Sequence, residues 1–405
     1  MNEIKFIHAA DLHLDSPMVG LKHLPKHIFK RLQESTFQAL KTLIDKAISS
    51  KVDFVILAGD LFDHEDRSIR AQARLRSELE RLQSEGISVF IVYGNHDFMG
   101  GSWPHLDLPN NVEVFRETVE TKTLKTRNGA VVHLYGFSYP SRHVLERKID
   151  DYKRTGNADY HIGILHGNLE GNQEHGNYAP FQLNDLLEKQ FDYWALGHIH
   201  KRAVLCEEPP IVYPGNLQGR HRKEAEVKGC YLVSLNQANH SLEFIETSDV
   251  IWLEKQLDAT HMKSFNELYH SCLDLVERVR LDEVGVLLCL KIINVNLDEV
   301  TLDDLMKEEL LEALQGNEEK EDSFVWTISI QVENQMTYNR DLLAKEDDFY
   351  SEMFDMTDNL ELLEESLSQL YHHPLARKYL KSLTPEELKQ LKQETEWMLL
   401  QELLK

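Results

Sequence analysis

Cysteine is scarce in this chain: four residues in 405, at positions 206, 230, 272 and 289, with no CxxC spacing among them. Such usage excludes a disulfide framework and predicts reduced thiols in a reducing compartment. Long hydrophobic runs are missing too. No stretch approaches the apolar length of a membrane span. Lys5 and His8 interrupt the first apolar residues, so no signal peptide is expected at the N-terminus. The expectation from these features is a cytoplasmic protein that does not touch a membrane. There is no phosphate-binding loop of the GxxxxGK[ST] type, no internal repeat and no low-complexity tract. Cationic residues are also in deficit, 44 Lys and Arg against 68 Asp and Glu, for a net charge of −24. The deficit is uneven: residues 1–250 hold 29 cationic against 34 acidic residues, whereas residues 251–405 hold 15 against 34. Global acidity argues against a nucleic-acid binder, but the near-neutral first part weakens that argument.

What the chain does have is alternation. Leu32, Phe37, Leu40, Leu43, Ile44 and Ala47 predict a helix over 30–50, and Leu75, Leu79 and Leu82 predict another over 67–85. Between and after them lie short apolar runs of strand type, including 131–135 and 211–213, and 230–245 reads as a hairpin with its turn at 236–240. The pattern predicts an α/β (α+β) fold of two packed sheets flanked by helices. It changes near 250–258. Beyond that point a helix over 262–280, a strand over 286–295, a helix over 302–315 and a strand over 324–332 suggest a small α/β domain. An acidic helical region follows residue 334. Thr384 and Pro385 mark a helix start there, as N-cap and first helical position. The domain expectation is 1–252, 253–335 and 336–405.

Five short motifs follow five of the strand-like runs in the first half. They are Asp11-Leu12-His13, Gly59-Asp60-Leu61-Phe62-Asp63, Gly94-Asn95-His96-Asp97, His166-Gly167 and Gly197-His198-Ile199-His200. Each alone has a bland explanation: Asp-x-His arises by chance on surfaces, and Gly, Asn and Asp favour turns. As an ordered set on strand ends, where α/β sheets place their sites, they supply seven donors: Asp11, His13, Asp60, Asn95, His166, His198 and His200. A carboxylate such as Asp60 can bridge two cations, and two bridged metals can bind phosphate and activate water. Carboxylate, amide and imidazole donors without thiolate suit Mn²⁺, Fe or Zn²⁺ more than Ca²⁺. His96 is placed to protonate a leaving oxygen, and Asp63 to orient that imidazole.

The set resembles the calcineurin-like metallophosphoesterases, over residues 4–220 or so. Within them, residues 7–13 and 59–63 resemble the SbcD-type DNA-repair exonucleases, as does Tyr213-Pro214-Gly215-Asn216, although that branch usually has Ser where Asn216 stands. Asp11-Leu12-His13-Leu14-Asp15-Ser16-Pro17 and His166-Gly167-Asn168 resemble the YhaO-type proteins of the same branch. Leu61-Phe62-Asp63-His64 after Asp60, and Asp97 after His96, depart from the GDxVDRG and GNHE pattern of the phosphoprotein phosphatases. The resemblance implies a two-sheet β-sandwich flanked by helices, with a small capping domain and C-terminal helices. It implies one metal, Mn²⁺ foremost, on Asp11, His13, Asp60 and His200, and a second on Asp60, Asn95, His166 and His198. His96 would be the acid, with Asp63 behind it.

Lys201, Arg202, Arg220 and Arg222 follow the last motifs, where loops should face the site and contact flanking phosphates. A solvated basic loop balancing Glu224 and Glu226 explains them equally well. The loop 170–180, with His175, Asn177 and Tyr178, would shape the pocket or simply be surface. Leu380, Leu383, Leu388, Leu391, Trp397 and Leu400 give amphipathic helices over 375–404, which ordinary packing produces as readily as a docking face. The resemblance implies as partners DNA, a coiled-coil ATPase subunit on those helices, and a second copy of the chain. The reading favoured is a dinuclear-metal phosphodiesterase acting on DNA, an exonuclease or endonuclease of DNA repair. The alternatives are a phosphodiesterase for small molecules of the cyclic-nucleotide kind, and a non-catalytic partner-binding subunit on the same scaffold.

Overall fold

The computed structural model describes residues 3–63, 67–101, 104–171, 178–236, 238–295, 297, 304–318, 321–333, 340–359, 362, 366–368, 370 and 383–403. Two six-stranded mixed sheets dominate it. In the first, β1 (Ile4–Ala9), β2 (Phe54–Ala58), β3 (Ser88–Val92) and β4 (Val112–Val114) run parallel, and β11 (Gly229–Leu235) and β12 (His240–Glu246) extend the β1 edge antiparallel. The second has the order β5 (Glu120–Lys125), β6 (Val131–Gly136), β7 (Tyr160–His166), β8 (Tyr193–Gly197), β10 (Ile211–Tyr213), β9 (Ala203–Cys206). Its four central strands, β6, β7, β8 and β10, are parallel.

Side-chain alternation explains how the sheets stack. Along β1, Ile4 and Phe6 join the core between the sheets, while Ile7 and Ala9 face the flanking helices; along β2, Phe54, Ile56 and Ala58 take the inner side and Val55 and Leu57 the outer. Period-2 alternation with both faces apolar is the signature of strands covered on both sides. The outer face of the first sheet is covered by α1 (Lys26–Ser49) and α2 (Ile69–Ser84), through Phe37, Leu40, Leu43, Leu75 and Leu79 among others. Ser68 caps α2 by accepting the Ala71 N–H at 2.9 Å, satisfying one orphan donor of the first turn. One polar side chain crosses the inner core. His8 on β1 is buried, with Nδ1 2.9 Å from the Tyr193 hydroxyl and Nε2 3.1 Å from the Leu196 carbonyl on β8. Burial holds its imidazole neutral, with its pKa lowered to about 3.

The expected hairpin is β11–β12, with its turn closed by the Asn236 N–H to Asn239 carbonyl bond at 2.9 Å. Residues 250–258, where the sequence pattern changes, form a strand, β13 (Val250–Asp258). It stands in a third sheet with β14 (Gly285–Ile293) and β15 (Val325–Glu333), accompanied by α3 (Phe265–Arg278) and α4 (Asp304–Gly316). Contacts divide the chain into two compact units: 1–257 with 262–291 and 297–331, and 258–261 with 292–296 and 332–405. The segment expected as a capping domain is thus shared between them. Within the first unit, Val250, Trp252, Leu287 and Phe324 share a buried cluster with Ile28 and Leu32 of α1. In the second, Met353, Phe354 and Leu400 cluster, and the buried Glu396 pairs with Arg340 at 3.2 Å. Thr384 starts the last helix, Pro385–Leu403: its hydroxyl accepts from Glu387 N at 3.2 Å, and the Glu387 carboxylate accepts from Thr384 N at 2.7 Å. Leu380 lies outside the described residues, as do residues 172–177 of the loop expected near the site and His64. All four cysteines are free. Among the described residues, no helix is long and apolar enough to cross a membrane.

Candidate metal centre

All seven sequence-predicted donors come together at the C-terminal edges of the parallel strands, four from the first sheet and three from the second. Asp11 and His13 follow β1, Asp60 follows β2, Asn95 follows β3, His166 ends β7, and His198 and His200 follow β8. The β1–β2 pairing continues past the strand ends through Asp11 N to Gly59 O (3.0 Å), His13 N to Asp60 O (3.0 Å) and Leu14 N to Leu61 O (2.9 Å). Within this ladder Asp11, His13 and Asp60 adopt left-handed backbone, with φ of 52°, 44° and 52°, and His198 has φ 96°. Non-glycine residues in that region cost of order 1–3 kcal/mol each and gather at functional sites. The turn swings each side chain out of the strand's alternation into one cluster.

The motif glycines are explained by close approach. A Cβ on Gly59, itself at φ 94°, would lie 2.2 Å from His166 Nδ1; one on Gly94 would lie 2.3 Å from Asp60 Oδ1 and 2.6 Å from His166 Nε2. No other residue fits without moving a ligand.

Two groups of donors emerge. In one, His166 Nδ1 lies 2.9 Å from the Ala58 carbonyl, so the neutral ring carries its proton there and presents a bare Nε2 to the site. That Nε2 is 3.1 Å from Asn95 Oδ1 and 3.4 Å from Asp60 Oδ2, while His198 Nδ1 is 3.1 Å from the same Asn95 oxygen. In the other, His13 Nδ1 is 3.1 Å from Asp63 Oδ1 and His200 Nδ1 is 2.6 Å from Glu224 Oε1. Glu224 pairs with His200 Nδ1 and the Asp63 carboxylate faces His13 Nδ1, so the two Nε2 atoms are turned toward one another at 3.1 Å. Asp11 Oδ1 stands 3.8 Å from His200 Nε2, and Asp60 Oδ2 3.9 Å from His13 Nε2. Asp11 also accepts the His198 N–H at 3.1 Å on both oxygens. Buried acceptors aimed at each other without a donor repel; a cation between them turns the repulsion into coordination. The residues therefore fit two metals sharing Asp60.

Without a cation the charges settle by proton transfer. Burial lifts Asp11 to about 6, against the opposing pull of His200 and His166. Burial would lower His166, but the Asp60 carboxylate outweighs it and lifts that imidazole to about 9. Burial, seconded by the Arg220 charge, drops His13 to about 3.

His96 and Asp63 meet, but not as expected. His96 Nδ1 lies 2.7 Å from the Asp63 main-chain carbonyl. The Asp63 carboxylate is turned the other way, onto His13, the Arg220 guanidinium and the Ser16 hydroxyl (3.3 Å). Arg220, expected to contact substrate phosphate, is instead inserted between the carboxylates of Asp63 and Glu224. Arg222 and Lys201 are exposed, and Arg202 is exposed with its guanidinium 4.0 Å above the Phe244 ring.

Two residues were missed from sequence. Glu224 lay inside a charge run that reads as solvated loop, yet it is 5% exposed and holds His200. Burial would raise its carboxyl, but hydrogen bonds from His200 and Arg220 hold it well below the usual carboxylate range. Asp97 was quoted only as part of a motif. It is fully buried and accepts from Leu61 N and Gly94 N, both at 2.7 Å, tying the Asp60 loop to the Asn95 loop. Burial raises it to about 6. Its position in the motif was the available signal.

The sequence profile of the calcineurin-like phosphoesterase family matches residues 4–202. The metallophosphoesterase YhaO of Bacillus subtilis (strain 168) is 40% identical over 408 residues, spanning 100% of this chain and 98% of that protein. The DNA double-strand break repair protein Mre11 of Methanocaldococcus jannaschii is 27% identical over 278 residues, 65% of this chain and 71% of that protein. Mre11 of Archaeoglobus fulgidus is 28% identical over 244 residues, 55% and 52% of the two chains.

Proposed function

The chain belongs to the calcineurin-like metallophosphoesterase family, and from that membership we propose that it is a two-metal phosphodiesterase whose substrate is DNA, cut as an exonuclease or endonuclease in DNA repair. The observation that carries the hydrolytic reading is the pair of mutually facing imidazole nitrogens, His13 and His200 Nε2 at 3.1 Å, with Asp11 and Asp60 beside them. His13, His200, Asp11 and Asp60 would hold one cation; Asp60, Asn95, His166 and His198 the other. When bound, such cations supply Lewis acidity that neutralises phosphate oxygens and acidifies water. Mn²⁺ is our choice, with Fe and Zn²⁺ compatible with the same donors.

The chain's own residues do the rest. His96 donates Nδ1–H to the Asp63 carbonyl, which fixes its tautomer and leaves Nε2 to exchange a proton with the leaving oxygen. Asp63 and Glu224 hold the ligand tautomers of His13 and His200. Asp97 locks the loop that carries Asn95 and His96 to the loop that carries Asp60.

Two things support DNA as substrate: similarity to proteins named for DNA double-strand break repair, and the exposed Lys201, Arg202 and Arg222 on segments next to the last ligands. Exposed cations so placed suit the phosphates on either side of a scissile one. A coiled-coil ATPase on the C-terminal helices, and a second copy of the chain, belong to the same proposal.

The test is incubation of the full chain with Mn²⁺ and end-labelled linear DNA, beside bis-p-nitrophenyl phosphate, with His96→Ala and Asp60→Ala controls. Cleavage of DNA that both substitutions abolish is the expected result. Hydrolysis of the small diester with DNA left intact, even after a cognate ATPase is added, overturns the DNA reading in favour of a small-molecule enzyme. Inactivity on both, with no bound metal, leaves a partner-binding scaffold.

A further inference from the structure

Glu224 and Arg220 belong to a buried ionic unit that no ligand motif includes. The Arg220 guanidinium reaches two carboxylates: Nη1 donates to Asp63 Oδ1, and Nη2 donates to Glu224 Oε1 at 3.2 Å. The Arg220 main-chain N–H adds a bond to Glu224 Oε2 at 2.8 Å. Each carboxylate then holds one of the facing imidazoles, Asp63 at His13 Nδ1 (3.1 Å) and Glu224 at His200 Nδ1 (2.6 Å). Outer bonds fix the carboxylates in turn: Asn216 Nδ2 donates to Glu224 Oε2 at 3.0 Å, and Ser16 Oγ donates to Asp63 Oδ2 at 3.3 Å. The side chains of Asp63, Arg220 and Glu224 are 10%, 14% and 6% exposed. The opposite half of the centre is built differently. There His166 Nδ1 is anchored on the Ala58 main-chain carbonyl of β2, part of the rigid sheet.

We propose that Glu224 and Arg220 are positioning residues, which together with Asp63 form an ionic clamp that sets the spacing of His13 and His200 and thereby the affinity of the one cation site fed by both. The proposal rests on the two-cation reading above. Its logic is geometric. A guanidinium is a planar fork, able to grip two carboxylates in fixed relation. Because one fork holds both, the two imidazoles move together or not at all. A carboxylate on Nδ1–H also makes Nε2 a stronger donor, and outer partners of this kind are worth 10–100-fold in metal affinity. His166 is instead anchored on the main chain of β2, so the two sites respond differently when the clamp is cut.

The test is titration of metal-free full-length chain with MnCl₂ alone, followed calorimetrically and by the loss of free Mn²⁺ signal in paramagnetic resonance. The wild type, Glu224→Gln, Arg220→Lys and His166→Ala are compared, with circular dichroism as the folding control. Glutamine keeps the shape of Glu224 without its charge; lysine keeps the charge of Arg220 without the fork. Each clamp variant is expected to weaken one of two Mn²⁺ equivalents by about 10–100-fold and leave the other at wild-type affinity. His166→Ala should weaken the complementary equivalent. If Glu224→Gln does not fold, Arg220→Lys decides alone. Wild-type affinity at both sites in the folded clamp variants, or equal weakening of both, overturns the clamp. Failure of the wild type to bind Mn²⁺ at all overturns the two-cation reading itself, a different result from either.

Discussion

Replacing Gly94 with alanine puts a single methyl group between two candidate ligands and tests the whole assignment. The added Cβ would sit 2.3 Å from Asp60 Oδ1 and 2.6 Å from His166 Nε2, where ordinary contact needs about 3.4 Å. One or both ligand side chains must retreat by about 1 Å. The backbone of Gly94 lies outside the left-handed region, so alanine adds no conformational penalty of its own, and nearly all the effect falls on the ligands. A displacement of that size costs on the order of 100-fold in rate, equivalent to about 2.7 kcal/mol in transition-state stabilisation. Asp60 would serve both cations of the proposed centre, so this is a lower bound. The assay is Mn²⁺-dependent hydrolysis of bis-p-nitrophenyl phosphate, run with Mn²⁺ titration and a thermal melt of the metal-free chain. The expected outcome is a loss of at least 100-fold in kcat/KM with weakened Mn²⁺ binding and a melting point within a few degrees of wild type. Full activity and full Mn²⁺ affinity in Gly94→Ala would refute the placement of Asp60 and His166 as joint ligands.

Asp97→Ala leaves the N–H groups of Leu61 and Gly94 buried without their acceptor, which should cost about 2–5 kcal/mol and show as a markedly lower melting temperature; an unchanged melt would mean the two loops need no tie. His96→Ala should lower kcat for diester hydrolysis by about 10²–10⁴-fold while Mn²⁺ affinity stays at the wild-type value, and a fall in both together would make His96 a ligand instead. The metal-free chain should lose stability as pH rises. His166 has its folded pKa raised from 6.5 to about 9, so its contribution is fully present below 6.5 and is lost as pH climbs through 9. Thermal melts in chelator between pH 6 and 9.5 should fall across that window and stay nearly flat with saturating Mn²⁺; a chelated protein that melts identically at both ends would contradict the Asp60–His166 pairing.

Much of this was legible in the sequence because the strong signals are local. Strand runs ending in Gly-Asp or Asp-x-His announce both the sheet and the candidate donors, since a parallel strand delivers its next residues to one edge. The helices α1 and α2 and the β11–β12 hairpin follow from periodicity and turn residues in the same way. What stayed hidden is long-range. Glu224 is four residues from Arg220 in a segment of mixed charges, and nothing local separates a solvated run from one folded under His200. The same holds for the direction in which Asp63 points. Its spacing from Asp60 puts it beside His96, but main-chain carbonyl and carboxylate are equally near in sequence, and only packing decides that the carbonyl serves His96. The strand over 250–258 was missed because Glu254 and Lys255 break its apolar pattern on an open face, where Leu253, Glu254, Lys255 and Gln256 are incompletely buried.

The donors are split between the two sheets: Asp11, His13, Asp60 and Asn95 issue from one, His166, His198 and His200 from the other. Neither sheet alone carries a full coordination sphere, and His13 meets His200 across 187 positions of chain. The centre is therefore a late product of folding, dependent on contacts of high sequence separation that form slowly. A partly synthesised chain that ends after β4 carries Asp11, His13, Asp60 and Asn95 but lacks His166, His198 and His200. The candidate centre is thereby completed only when the second sheet has joined the first.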